Sequence, residues 1–164
     1  MELDPITDSK LTIKLFKHVT NTRQLKESLI NGQLKCCIIK PELIFDPFQI
    51  IVAVNKAVLA KKLTTKTIYT EILFNLSITK NILKSLQTFG IDEKDVSLLV
   101  VTLDEDRNIY QQIEGVEIPL DDLKKYTDIN LIKKTYKISE NESRVTSILD
   151  SVVSRIATKD FMSI

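Results

Sequence analysis

Glycine, histidine and separated cysteines are scarce in this sequence, and each scarcity removes a class of chemistry. The three glycines, Gly32, Gly90 and Gly115, stand singly, so no glycine-rich loop can bring several backbone amides up to a phosphate. The one histidine, His18, has no companion at ligand spacing and no nucleophile motif around it, and reads as a strand-end residue. The two cysteines, Cys36 and Cys37, are adjacent. A bond between them would close a strained small ring, and no second pair offers metal ligands, so reduced thiols within an apolar strand are expected. No run approaches the roughly 20 apolar residues that span a bilayer. The opening MELDPITDSK has neither a charged n-region nor an apolar h-region, so no membrane association and a place in the cytoplasm and nucleus are expected. The acidic trio Asp104-Glu105-Asp106 follows a strand-like run and reads as an exposed turn rather than a Mg²⁺ site. With no convergent set of acid, base, nucleophile or electrophile, the expectation is a non-catalytic protein without cofactor or metal.

What is present is enough for a core. A chain of 164 residues with 43% hydrophobic content suits one compact domain over 1–164. The net charge of +1 argues against a protein that grips nucleic acid by bulk charge alone, yet the charges are segregated. Between Pro47 and Thr70 stand Lys56, Lys61, Lys62 and Lys66 and no acid; between Asp92 and Asp122 ten acids face only Lys94 and Arg107. The basic segment is suited to an anionic partner, each phosphate contact adding a modest, salt-sensitive attraction.

Residues 11–19 alternate as a half-buried strand, with Leu11, Ile13 and Leu15 on one face. Thr20 or Asn21 can cap a short helix that Gly32 stops, and Leu34 to Ile39 reads as a second strand ended by Pro41. Asp46-Pro47 is the clearest helix start, because Asp accepts from orphan amides while Pro presets φ at the first helical position. The helix is apolar over most of its circumference, with Phe48, Ile51, Val52, Val58 and Leu59 along one side, Ile50, Val54 and Ala57 on another, and a narrow polar exit at Gln49, Ala53, Lys56 and Ala60. Ile68 to Leu76 alternates and is predicted to be a third strand. Ser77 or Thr79 can cap a helix carrying Ile82, Leu83, Leu86 and Phe89, closed by Gly90, and residues 97–103 form an apolar run suited to a central strand. Short helices are expected over 119–125 and after Asp128. A final amphipathic helix follows, with Val145, Ile148, Leu149, Val152, Val153 and Ile156 on one side. The apolar tail Phe161, Met162 and Ile164 adds to the surface it can offer another protein. The pattern is α+β: one domain with a mixed sheet packed by helices and a C-terminal amphipathic helix.

The blocks DPFQIIVAVNKAV (46–58), TKTIYTEILFNLS (65–77), NILKSLQTFGI (81–91) and SRIATKD (154–160), with IEG at 113–115 and IKKTYKIS at 132–139, give the sequence its resemblance to the PRPK-binding protein (TPRKB) family. Members of that family are the small non-catalytic subunits of the KEOPS (EKC) complex. The resemblance covers nearly the whole chain. It implies a subunit that binds and supports the small atypical kinase of the complex. Through the kinase, the subunit would reach the partner that installs threonylcarbamoyl on the adenosine beside the tRNA anticodon. It also implies a part in engaging the tRNA acceptor end. Carried over, it points to Ile148, Val152, Arg155, Ile156 and Lys159 for the kinase contact, so that a charge at Val152 is expected to weaken binding without unfolding the chain. For tRNA it points to Asn55, Lys56 and Lys66. Lys66 stands where relatives often carry arginine, which keeps charge and loses the planar bidentate donor. Tyr69 stands where relatives have a small residue. Two other readings remain open: an autonomous RNA-binding protein using the lysine-rich segment 56–66, and an unusual enzyme built on His18 or the 104–106 acids.

Overall fold

The computed structural model describes residues 10–103 and 107–161. Strand β1 (Thr12–Lys17) is followed by helix α1 (Thr22–Ile30), strand β2 (Cys37–Ile39), a 3₁₀ turn (Pro41–Leu43), and helices α2 (Pro47–Leu59), α3 (Ile68–Leu76) and α4 (Ile82–Phe89). Then come β3 (Leu98–Thr102), α5 (Arg107–Gln111), β4 (Val116–Ile118), a 3₁₀ segment (Leu120–Lys125), α6 (Ile129–Tyr136), α7 (Glu140–Val145), α8 (Ile148–Thr158) and a closing 3₁₀ turn (Lys159–Phe161). The four strands lie in the order β2-β3-β1-β4. Every pairing is antiparallel. The α+β class stands, but the sheet is antiparallel rather than mixed, because the strands that run the same way, β1 with β2 and β3 with β4, are each separated in the sheet by a strand running the other way.

Both faces of the sheet are covered, which follows from the continuous apolar run of β3. Leu99 and Val101 of β3 join Leu15, Cys37 and Ile39 on the larger face, with Ile50 and Val54 of α2, Ile72 of α3, and Val152 and Ile156 of α8. Leu98 and Val100 turn to the other face, with Phe16, Ile38 and Leu25 of α1. The strand expected to be central is central.

Two expectations about the helices fail, each for its own physical reason. The segment Ile68–Leu76 is helix α3, not a strand. Its alternating apolar residues also fit a four-residue spacing, and local chemistry decides between the periods. Thr67 accepts from Thr70 N–H while Thr70 Oγ1 accepts from Thr67 N–H, a reciprocal cap that fixes a helix start. In α2 the buried side is Gln49, Ile50, Ala53, Val54 and Ala57, whereas Phe48 and Leu59 are exposed. Gln49 lies inward because its amide is fully used: it accepts from Phe45 N–H (2.9 Å) and donates to the Leu43 carbonyl (3.1 Å) and Tyr136 Oη (2.8 Å). A polar residue with all its partners supplied pays little to be buried. The rest of the start at Asp46-Pro47 is as read, with Asp46 Oδ1 accepting from Phe48 N–H at 2.9 Å.

Gly90 ends α4, though with an ordinary negative φ. What requires glycine there is space, since a Cβ would lie 2.5 Å from the Leu86 carbonyl oxygen. Gly32, by contrast, has φ +79 after α1, the left-handed conformation that favours glycine. Cys36 and Cys37 are free and buried. Burial pushes the Cys36 thiol up to about 12 and raises that of Cys37 as well, so both are poor nucleophiles near neutral pH.

Candidate functional site

The C-terminal segment folds back onto α2 and α3. Ser147 caps α8 by accepting from Asp150 N–H at 3.1 Å, which separates α8 from α7 and removes Val145 from the helix it was assigned to. Val152 and Ile156 are fully buried in the main core. Lys159 is also buried; its ammonium donates to the Phe74 carbonyl and sits 3.5 Å from the Phe74 ring centroid. Ile148 is half-buried against the same core. Arg155 makes a two-pronged pair with Glu142 of α7 (2.6 and 2.7 Å) and donates to the Lys137 carbonyl at 3.2 Å. The residues expected to touch a kinase therefore mostly hold α8 to its own domain. Val152, Ile156 and Lys159 offer no surface to a partner in this conformation. The flank that remains open carries Leu149 and Val153, both half-buried, and exposed Ala157. Val145 and Phe161, before and after α8, are 85% and 86% exposed. Sequence periodicity missed this division, because Leu149 and Val153 share the apolar stripe with Val152 and only packing separates them.

Two ionisable groups in this segment are displaced from their ordinary pKa values. Arg155 beside Glu142 holds its carboxyl down at about 2. A depressed carboxyl contributes stability above its unfolded pKa that is lost as pH falls through the folded one. Between about pH 4.5 and about 2, Glu142→Gln is expected to show a shallower loss of stability than the parent chain, as read by urea unfolding across that range. Lys159 moves the other way. Desolvation lowers its ammonium to about 8, with Lys56 adding to the effect. Because the folded state releases this proton first, the destabilising contribution is full below about pH 8 and is relieved as pH rises toward the ordinary lysine value of 10.5. Lys159→Met is expected to flatten the rise in stability over that window.

The residues expected to meet RNA are divided in a similar way. Lys56 Nζ donates to the Ile156 carbonyl at 2.8 Å and lies 3.4 Å from Asp160, so it caps the C-terminal end of α8. Asn55 is half-buried and its Oδ1 is enclosed without a hydrogen-bond partner among the described residues. Lys56 therefore presents no free ammonium to solvent. Lys66 does: it is exposed, as are Lys61 and Lys62 in the bend between α2 and α3. The bend is held from α3 by the buried Glu71, whose two oxygens accept from Thr64 N–H (3.1 Å) and Thr65 N–H (2.8 Å).

Lys66 stands on the lip of an open cleft of about 910 Å³ bounded by α1, the outer edge of β2, α3 and α4. Its floor is aliphatic, with Leu34, Ile38 and Leu73, and Tyr69 lines one wall. Lys26 and Lys35 join Lys66 at its margin against one acid, Asp92. Lys26 and Lys35 lie outside the basic segment read from the sequence, and no linear pattern links them to Lys66; only the fold does. His18 is exposed beyond the end of β1, in the left-handed conformation at φ 53. The 104–106 acids lie outside the described residues. Among the described residues no group of three or more His, Cys, Asp or Glu side chains stands close enough to hold a metal ion. No helix among them is long and apolar enough to cross a membrane.

Comparison with known proteins gives this arrangement a context. A model of the family described as "Kinase binding protein CGI-121" matches residues 16–160. The EKC/KEOPS complex subunit TPRKB of Danio rerio is 38% identical over 97% of this chain and 96% of its own length. The EKC/KEOPS complex subunit CGI121 of Yarrowia lipolytica is 30% identical over 82% of this chain and 83% of its own. The corresponding subunit of Aspergillus fumigatus is 31% identical over 80% and 78%.

Proposed function

The chain belongs to the CGI-121 family of kinase-binding proteins, and from that premise we propose that it is a non-catalytic EKC/KEOPS subunit. In this reading it binds and supports the small atypical kinase of that assembly and helps present tRNA for threonylcarbamoylation beside the anticodon. The observation that carries the reading is full-length similarity to named subunits of the complex, joined to a C-terminal helix with one buried side and one open apolar flank. Leu149, Val153 and Ala157, extended by Val145 and Phe161, form the kinase-facing surface. Ile148 and Arg155 border it, while Val152, Ile156 and Lys159 fix its position from beneath. An open apolar flank of this kind, rimmed by polar groups, suits helix-to-lobe packing. The chain works in the cytoplasm and nucleus, wherever its complex does.

For tRNA, the free cations are Lys61, Lys62 and Lys66, with Lys26 and Lys35 across the cleft. Phosphates would meet these ammonium groups, and an unpaired terminal base would enter the apolar floor beside Tyr69, where stacking needs no sequence code. The acceptor end of tRNA is such a strand. The test is a tRNA titration of the chain alone, of the kinase alone and of their complex, repeated at several salt concentrations. The complex is expected to bind best, and replacing Lys61, Lys62 and Lys66 by alanine is expected to lower its salt slope by about 2, at roughly 0.7 per single-strand phosphate contact. Tight tRNA binding by the chain alone, with no gain on adding the kinase, would favour an autonomous RNA-binding protein instead. An unchanged slope in the lysine variant would remove the loop from the RNA surface.

A further inference from the structure

Glu71 is a buried acid, 4% exposed in the first turn of α3, and among the described residues no cationic side chain is hydrogen-bonded to it. Among the described residues, the hydrogen bonds that its side chain accepts come from the bend that carries the lysines. Oε2 accepts from Thr64 N–H at 3.1 Å, and Oε1 accepts from both Thr65 N–H and Thr65 Oγ1 at 2.8 Å. Thr65 Oγ1 in turn accepts from Thr70 Oγ1 at 2.8 Å, so the clamp is tied into the reciprocal cap of α3. Two adjacent backbone N–H groups converge on two different oxygens. Only an ionised carboxylate offers two acceptor atoms in that fork; glutamine would turn a donor toward one of the amides. Burying a carboxylate is costly unless it is hydrogen-bonded, and the hydrogen bonds that offset the cost here order residues 64 and 65, between Lys62 and Lys66.

We infer that Glu71 is a positioning residue for the RNA surface: it contacts no RNA, and it fixes the bend so that Lys61, Lys62 and Lys66 meet phosphates without first being ordered. This rests on the tRNA reading above. Ordering such a bend at the moment of binding would subtract from affinity, which is why a pre-set loop matters.

The experiment uses the chain in complex with its kinase and compares Glu71→Gln, the Lys61→Ala/Lys62→Ala/Lys66→Ala variant and the combination of the two. Glu71→Gln is expected to weaken tRNA binding about tenfold and to have no further effect in the lysine variant, the non-additivity expected of groups acting together. Limited trypsin digestion is expected to cut within 61–66 about tenfold faster in Glu71→Gln, while kinase binding stays unchanged. Glu71→Asp, too short to reach both amides, is expected not to restore binding. Should Glu71→Gln fold poorly, Thr65→Val removes one arm of the clamp and is expected to give the same pattern more weakly. Loss of tRNA binding in the lysine variant with parental affinity and digestion in Glu71→Gln would overturn the inference and leave the RNA surface standing. No effect of the lysine variant itself would overturn the RNA reading and this inference with it.

Discussion

Val152→Glu is expected to unfold the chain, and Val153→Glu, one residue further on, is expected to leave it folded and unable to hold the kinase. Val152 is fully buried in the apolar main core, where a carboxyl group must either ionise without a partner or stay protonated at a cost. Uncompensated buried charge costs about 3–5 kcal/mol, a large part of the roughly 5–15 kcal/mol that holds a domain together. Thermal unfolding should show a midpoint lowered by about 10 °C or more, or no cooperative transition at all. Val153 lies half-buried on the open flank of α8, so a carboxylate there keeps access to water and should change stability by less than about 1 kcal/mol. At the centre of an apolar contact with the kinase the same carboxylate would be desolvated, and loss of affinity by about 100-fold or more is expected. The pair separates the helix's role in folding from its role in binding, which a single substitution at Val152 cannot do.

Gln49→Leu carries the second large effect. The side chain serves three groups at once: the Phe45 amide, the Leu43 carbonyl and Tyr136 Oη. Tyr136 passes the chain on by donating to the Leu76 carbonyl at 2.6 Å, at the end of α3. Burial pushes the Tyr136 hydroxyl well above its ordinary pKa, so it remains a donor at neutral pH. Leucine fills the volume of Gln49 but strands two backbone groups and the acceptor site on Tyr136 Oη. At about 1 kcal/mol or more for each orphaned group, a loss of about 3 kcal/mol is expected. Tyr136→Phe should cost less, since the Leu76 carbonyl is the main group left unpaired. Combining the two substitutions should cost less than the sum, because both remove the same bond between them. Urea unfolding of the three variants measures this directly.

These two sites also show where the sequence was legible. Boundaries written in local chemistry were readable: Asp46-Pro47 starts α2, Asp128 caps α6 by accepting from Leu131 N–H, and Gly32 closes α1 at positive φ. The apolar continuity of 97–103 located a central strand because being covered on both faces leaves no polar side to alternate with. What failed was orientation. Gln49 reads as surface until Tyr136, far along the chain, supplies its partner, and Lys56 reads as a free cation until the end of α8 arrives to accept from it. Ile68–Leu76 failed because its residues satisfy both periods, and the Thr67–Thr70 cap that settles the matter is a threonine pair rather than the more familiar serine-and-glutamate form.

The candidate surfaces follow the same rule. The final helix could be found from its stripe, but not which part of the stripe faces outward. Lys66 could be found from the charge pattern, but Lys26 and Lys35 join it only because α1 and β2 are brought across the cleft from α3. Linear patterns identify elements that need a partner; the packed fold decides whether that partner lies within the chain or outside it.

The measurement that bears most directly on the central claim is the mass of the species formed when this chain and the small atypical kinase of its own organism are co-expressed and separated by size. A one-to-one complex that persists through separation, and that Val153→Glu abolishes while the variant chain elutes as a folded species, is the predicted result. Separate elution of the two folded proteins at micromolar concentration would contradict the account.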